Sequence, residues 1–291
     1  MSGEIAINDL REQDEALVTS LENKLLKLTG GPERFEREFC KMLRNSIDSV
    51  IDANHTGRLR LSEIEKTEKT YLGTKIEIRL RHLLRATKGD ILDLKIDGTE
   101  VDIKNTVASQ WTIPPEAIGH PCILIRSNET KALCSVGLLV IREVFLNPGK
   151  NRDQKKTISK AGMSHVRWIL QDTPYPQNFW EFIEPAIHKA ITSPRGGTAR
   201  LAELFRLVQK RPISRTIVES VAQQKDSLKR LRKNGGARDQ LAREGIAIFW
   251  GKNDRDLIDR LGLPFCSTDE FVAYQPQLEN EIQWVRDAGH L

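Results

Sequence analysis

The chain has 291 residues, of which 39% are hydrophobic and 29% charged, and its formal net charge is +5. That length suits one large or two ordinary domains, and the composition excludes wholesale disorder. No apolar run approaches the roughly 18 residues of a membrane span. The four cysteines, Cys40, Cys122, Cys134 and Cys266, are scattered without a C-x-x-C, which argues against a zinc framework or a disulfide scaffold. The opening residues lack the basic start and apolar core of a secretory signal, so a cytoplasmic protein with no membrane partner is expected.

The first ninety residues carry apolar positions at helical spacing. Helices are expected over residues 16–28, stopped by Gly30-Gly31-Pro32, over 35–51, and over 63–84, where Leu72, Ile76, Leu80 and Leu83 form one stripe. A β-rich stretch follows. Residues 91–106, "ILDLKIDGTEVDIKNT", place Asp97-Gly98 between two alternating runs, the pattern of a tight hairpin. Residues 120–126 and 132–146 are nearly continuous in apolar and β-branched residues, as buried strands are. A basic polar loop is expected over 147–162 and a helix over 179–191. Helices before and around a mixed sheet make an α/β or α+β domain over residues 1–192.

"TSPRGG", ending at Gly197, combines Pro, Gly and charge, so 193–197 is expected to be a linker and 198–291 a second domain. Charge divides along the same line. Residues 198–245 hold 12 Lys and Arg against 5 Asp and Glu, whereas 246–291 hold 4 against 8. A basic stretch of this kind is either a solvated helical face or a footprint for a polyanion such as nucleic acid. Helices are expected over 199–209, over 215–223 with Ser214 as N-cap, over "KDSLKRLRKNGG" (225–236) and over 237–245, and then a strand over 246–251. Short helices followed by a strand give the order of a mainly α winged-helix module. Lys229, Arg230, Arg232 and Lys233 are expected to face DNA there.

If Asp97 and Gly98 are the turn residues, Lys95 opposes Glu100 and Asp93 opposes Asp102. Like charges directly opposite destabilise a sheet. Val101 and Ile103 then point into the core, and Asp102 and Lys104 share the other face. From the residues alone this face is either a set of weak surface ion pairs or a site in which a divalent cation relieves the repulsion between the two aspartates.

The stretch Asp93 to Thr106, with Asp102-Ile103-Lys104 at its centre, resembles the active-site strands of the PD-(D/E)xK nucleases. Upstream, Gly73-x3-Glu77 within "KTYLGTKIEIRLRHLL" resembles the subgroup that holds NaeI-like and MutH-like enzymes, in which a helix glutamate joins the site. The order of a nuclease domain, a short linker and a winged-helix domain is closer to the NaeI-like restriction endonucleases than to a nuclease domain alone. The resemblance implies a restriction-endonuclease-like core and a type II, site-specific endonuclease cutting double-stranded DNA as a homodimer, with a second bound site able to activate it. It implies Mg²⁺ as cofactor, Glu77, Asp93, Asp102 and Lys104 as catalytic residues, and Glu77, Asp93, Asp102 and the Ile103 carbonyl as ligands. Lys155 and Lys156, in the basic loop after the sheet, join Lys229, Arg230, Arg232 and Lys233 as expected DNA contacts. A MutH-like nicking enzyme and a non-catalytic winged-helix regulator are the competing readings.

Overall fold

The computed structural model describes residues 2–224 and 226–291, with side chains from Arg11 onward. The chain forms two compact units. The first runs to Ile51 and from Leu61 to Asn178; the second is Asp52–Arg60 with Phe179–Leu291. No helix among the described residues is long and apolar enough to cross a membrane.

The first unit begins with two helices, α1 (Ser2–Thr29) and α2 (Pro32–Ile51). The short α3 (Ala53–Thr56) belongs to the second unit. The helix α4 (Lys66–Leu83) opens on a capping box in which the Glu68 carboxylate accepts from the Glu65 N–H at 2.8 Å. Its apolar stripe is Leu72, Ile76, Leu80 and Leu84, all buried; Leu83, expected on that stripe, is half-buried. Spacing of four residues keeps one face toward α2 and β2, against which α4 packs.

The strands β1 (Leu94–Ile96), β2 (Thr99–Thr106), β4 (Pro121–Asn128), β5 (Leu133–Val140) and β8 (Arg167–Pro174) form one mixed sheet in the order β1-β2-β4-β5-β8. Only β2 and β4 run parallel within it. Seven of the eight residues of β5 are buried, as its continuous apolar run requires of a strand covered on both faces.

A second, small sheet holds β3 (Thr112–Ile113), β6 (Leu146–Lys150) and β7 (Lys156–Ile158), followed by the turn of helix α5 (Lys160–Met163). The stretch 147–162, expected to be a loop, is therefore mostly a hairpin. Its turn is tied by the Asn151 side chain, which accepts from the N–H groups of Asp153 and Lys155 at 3.0 and 2.9 Å. Leu146 and Ile158, paired in register, anchor its base in a cluster with Trp111 and Leu139.

The second unit carries α6 (Pro185–Thr192), α7 (Gly197–Leu207), β9 (Ile213–Ser214), α8 (Arg215–Ala222), α9 (Ala237–Ala242), β10 (Ala247–Trp250), α10 (Arg255–Arg260), β11 (Glu270–Tyr274) and α11 (Glu279–Asp287). The strands form an antiparallel sheet in the order β10-β11-β9. Pro185 at the first helical position restarts the chain after a 3-10 turn, so the helix expected over 179–191 is two pieces. The helix α6 packs on α7, and the compact units divide after Asn178, upstream of the 193–197 linker expected from composition. The helix expected over 225–236 is a 3-10 turn, Ser227–Leu231, followed by loop; Lys225 lies outside the described residues. Lys229 to Lys233 therefore precede the last helix before β10 and are not part of it.

Candidate active site

The hairpin turns where the sequence places it. Asp97 and Gly98 both take left-handed backbone, φ 47° and 82°, as a two-residue turn matched to strand twist requires. The register pairs Lys95 with Glu100 and Leu94 with Val101.

Glu100, however, does more than face Lys95. Its carboxylate accepts the N–H groups of Asp90, Ile91 and Leu92 at 2.9, 3.4 and 3.0 Å. The Asp90 N–H leads the donors that hold this carboxyl down to about 2. A Cβ at Gly89 would meet the Leu92 carbonyl at 2.3 Å and Glu100 Oε2 at 2.5 Å, so only glycine lets the loop close over the carboxylate. This tie fixes residues 89–92 and delivers Asp93 to the edge of β2.

Asp93 is clamped from two sides. Its carbonyl accepts from Arg81 Nη1 of α4 at 3.2 Å, and its Oδ2 accepts from the Ile103 N–H at 2.8 Å. Asp102 is only 4% exposed. Its Oδ1 takes a 2.8 Å bond from Lys104 Nζ, and its Oδ2 lies 3.8 Å from the buried thiol of Cys122, its partner on β4. Lys104 Nζ also reaches the Ile103 carbonyl at 3.3 Å. Glu77, on α4, makes no hydrogen bond or ion pair with the described residues. Arg81, one turn on, engages the Asp93 carbonyl instead of pairing with it.

The electrostatics follow from this arrangement. Burial pushes Glu77 up to about 7, and the charges of Asp93 and Asp102 push the same way against Lys104. Burial likewise raises Asp102 to about 6, with Lys104 opposing and Asp93 adding. For Lys104, burial works against the charged form, but Asp102 outweighs it and the ammonium is held above its usual value. Three carboxylates thus surround one amine in a partly dry site, and the excess is negative.

Hard oxygen donors in negative excess fit a hard divalent cation. As the side chains stand they do not close round one: among the described residues, no group of three or more His, Cys, Asp or Glu is arranged to hold a metal ion. The reason lies in the bonds just described, since the Asp102 carboxylate is turned to Lys104 and that of Asp93 to a backbone N–H.

The expected DNA contacts lie in several places. Lys155 and Lys156 sit at the β6–β7 turn, where Lys156 pairs with Glu143. Lys229 pairs with Asp226 at 2.8 Å, and Arg230 is exposed, its charge also reaching Asp226. Arg232 and Lys233 line one cavity of the second unit together with Arg238, which the sequence gave no reason to choose.

The profile of the restriction endonuclease NaeI family matches residues 32–281. The type II restriction enzyme NaeI of Lentzea aerocolonigenes is 35% identical over 241 residues, which is 80% of this chain and 76% of that enzyme.

Proposed function

The chain belongs to the NaeI family of type II restriction endonucleases, and from that premise we propose that it is a Mg²⁺-dependent enzyme cutting double-stranded DNA at a specific sequence, as a homodimer, to leave 5′-phosphate and 3′-hydroxyl ends. The observation that carries this reading is the mutual electrostatic reach of Glu77, Asp93, Asp102 and Lys104 at the hairpin.

Glu77, Asp93, Asp102 and the Ile103 carbonyl would hold the cation. When bound, it supplies Lewis-acid polarisation of a phosphoryl oxygen and acidifies its own water. The remaining work falls to the chain. Lys104, anchored by Asp102, presents an ammonium that orients the attacking water and offsets charge developing on the phosphoryl oxygens. Arg81 and the Ile103 N–H hold Asp93 from both ends and keep it beside β2.

For the second unit, a winged-helix role in binding DNA, including a second copy of the site, is supported by the order α7-β9-α8-α9-β10, with α10 between β10 and β11, and by the three-stranded antiparallel sheet. The basic stretch 198–245 supplies the charge.

Supercoiled plasmid incubated with Mg²⁺ tests the reading. Linear product, abolished by Asp102→Ala or Lys104→Ala while DNA binding in Ca²⁺ persists, is expected. Accumulation of open circle alone would point to a nicking enzyme, and intact plasmid would remove the catalytic assignment.

A further inference from the structure

The second unit contains a cavity of about 240 Å³ lined by Leu228, Leu231, Arg232, Lys233, Arg238, Trp250, Asn253 and Phe271. Three cations share it, and no acidic residue lines it. What sets it apart from an ordinary basic surface is Arg238. This side chain is half-buried, yet it makes no hydrogen bond or ion pair within the described residues. Burial alone lowers its pKa, the direction of a guanidinium that has lost water without gaining a partner.

One carboxylate, Asp254, reaches Arg238 electrostatically, but its oxygens are engaged elsewhere. Oδ2 accepts from the Trp250 N–H at 2.7 Å, and Oδ1 pairs with His290 at 3.2 Å. His290 is held in place by its edge-on contact with Phe249, 5.0 Å between ring centres. Asp254 therefore forms no ion pair with Arg238 among the described residues, although its charge reaches it. Arg232 is exposed and makes no ion pair among the described residues, while Lys233 is tied to the Gly289 carbonyl.

Two aromatic side chains, Trp250 and Phe271, also line the cavity. Trp250 stacks on Phe271 with ring centres 5.7 Å apart, and its indole N–H donates to the Thr268 carbonyl at 2.8 Å. The ring is thus fixed, and Lys252 lies over it with Nζ 5.5 Å from the ring centre, a further cation beside the cavity.

A desolvated fork of unused N–H donors beside a second free arginine matches the oxygens of a phosphate, which such forks bind bidentately. A fixed indole beside them suits the sugar or base attached to it. We propose that this cavity takes in a backbone phosphate of DNA, with Arg238 and Arg232 as its two ligands and Trp250 against the adjoining nucleoside. The inference rests on the reading of the chain as a DNA-cutting enzyme and names the side chains by which the second unit grips the duplex. It moves the contact from Lys229 and Lys233, each already engaged, to Arg238, on no account the most exposed cation of the segment.

The test is binding of the full-length protein to a fluorescein-labelled duplex in Ca²⁺, titrated across a salt series. Arg238→Ala is expected to weaken binding about tenfold on any duplex sequence and to reduce the slope of log affinity against log salt by about one phosphate contact. Arg232→Ala, at an exposed position that the fold does not need, is expected to do the same in lesser degree. Equal affinity and equal slope in both variants would overturn the proposal. Inorganic phosphate, followed by tryptophan fluorescence, separates the source of the ligand. Weak quenching that competes with duplex is expected; saturation by free phosphate with duplex binding indifferent to Arg238→Ala would assign the cavity to a free anion and overturn the DNA contact. The proposal and the reading beneath it fail in different ways. If wild-type protein never cuts DNA, the endonuclease reading falls; if cutting depends on Asp102 and duplex binding ignores Arg238, only the cavity assignment falls.

Discussion

Replacing Glu77 with Gln should stabilise the metal-free protein, although it removes a charge from the centre of the site. The carboxyl sits at about 7 in the folded chain against an ordinary value of 4.5. Each pH unit of that gap is about 1.4 kcal/mol, so the whole gap is roughly 3 kcal/mol. Glu77 is only half-buried, and solvent screening reduces the figure to about 1–2 kcal/mol. The sign is that of a raised carboxylate. Below pH 4.5 both folded and unfolded chains hold the proton, and Glu77 contributes no difference. Between pH 4.5 and about 7 the unfolded chain releases it while the folded chain retains it, so stability falls as pH rises. Above that the penalty is complete. Urea unfolding in a chelator at pH 4.5, 6 and 8 is the assay, comparing wild type with Glu77→Gln. Near-identical curves at pH 4.5 and a gain of about 1–2 kcal/mol for the variant at pH 8 are expected. A variant no more stable than wild type at pH 8, with the same pH dependence, would refute the picture of crowded, poorly solvated carboxylates.

Divalent cation should achieve the same relief by binding: Mg²⁺ at a hundred times its dissociation constant would raise wild-type stability by about 2.7 kcal/mol. Asp102→Asn should shrink that gain, and an unchanged melting shift in the variant would count against Asp102 as a ligand. Arg44→Met should cost about 3–5 kcal/mol in urea titrations, because Arg44 is the cation between Asp48 and Glu129, each at 2.7 Å in a buried network closed by Tyr175; a loss below 1 kcal/mol would show the network to be hydrated. Gly137→Ala should cost about 1–3 kcal/mol by overpacking, since its new Cβ would lie 2.4 Å from Val166 Cγ1 and 3.0 Å from the Trp168 ring. Unaltered unfolding there would mean that β5 and β8 can separate locally.

The hairpin of the candidate site was legible because each of its determinants is local. Asp-Gly sets the turn, the alternation sets the faces, and the clash of Asp93 with Asp102 announces a demand that the strand itself does not meet. The position of Glu77 was legible only through the resemblance, since nothing in α4 alone distinguishes it from Glu68, which is half-buried too. The role of Glu100 was not legible. Opposite Lys95 it looks like half of an ion pair, and its capture of three N–H groups depends on how residues 89–92 fold back, which no period in the sequence encodes. The β6–β7 hairpin was hidden for a different reason. Its strands are rich in Asn, Pro, Gly and Lys, and it is held by the register pairs Leu146–Ile158 and Lys150–Lys156 and by the Asn151 side chain, so tertiary contact overrides a loop-like composition. Arg238 was hidden because an arginine on a short helix carries no sign of whether its neighbours will leave it a partner.

The two sites set the same physical problem with opposite sign. At the hairpin, Glu77, Asp93 and Asp102 gather negative charge that one lysine does not balance, so a phosphodiester is repelled until a cation intervenes. At the cavity, Arg238 is desolvated and only the charge of Asp254, engaged with His290, reaches it, so on our proposal a phosphate is attracted directly. Metal and salt should therefore act on different steps. A chelator should abolish cutting while the second unit continues to hold duplex. Added salt should weaken that hold through counterion release, with much less effect on a pre-bound metal centre. Duplex binding that vanished in chelator at low salt would mean that the hairpin, with its cation, carries the affinity as well as the chemistry. Binding that survives chelator but falls steeply with salt, and less steeply in Arg238→Ala, follows if each site resolves its own unpaired charge.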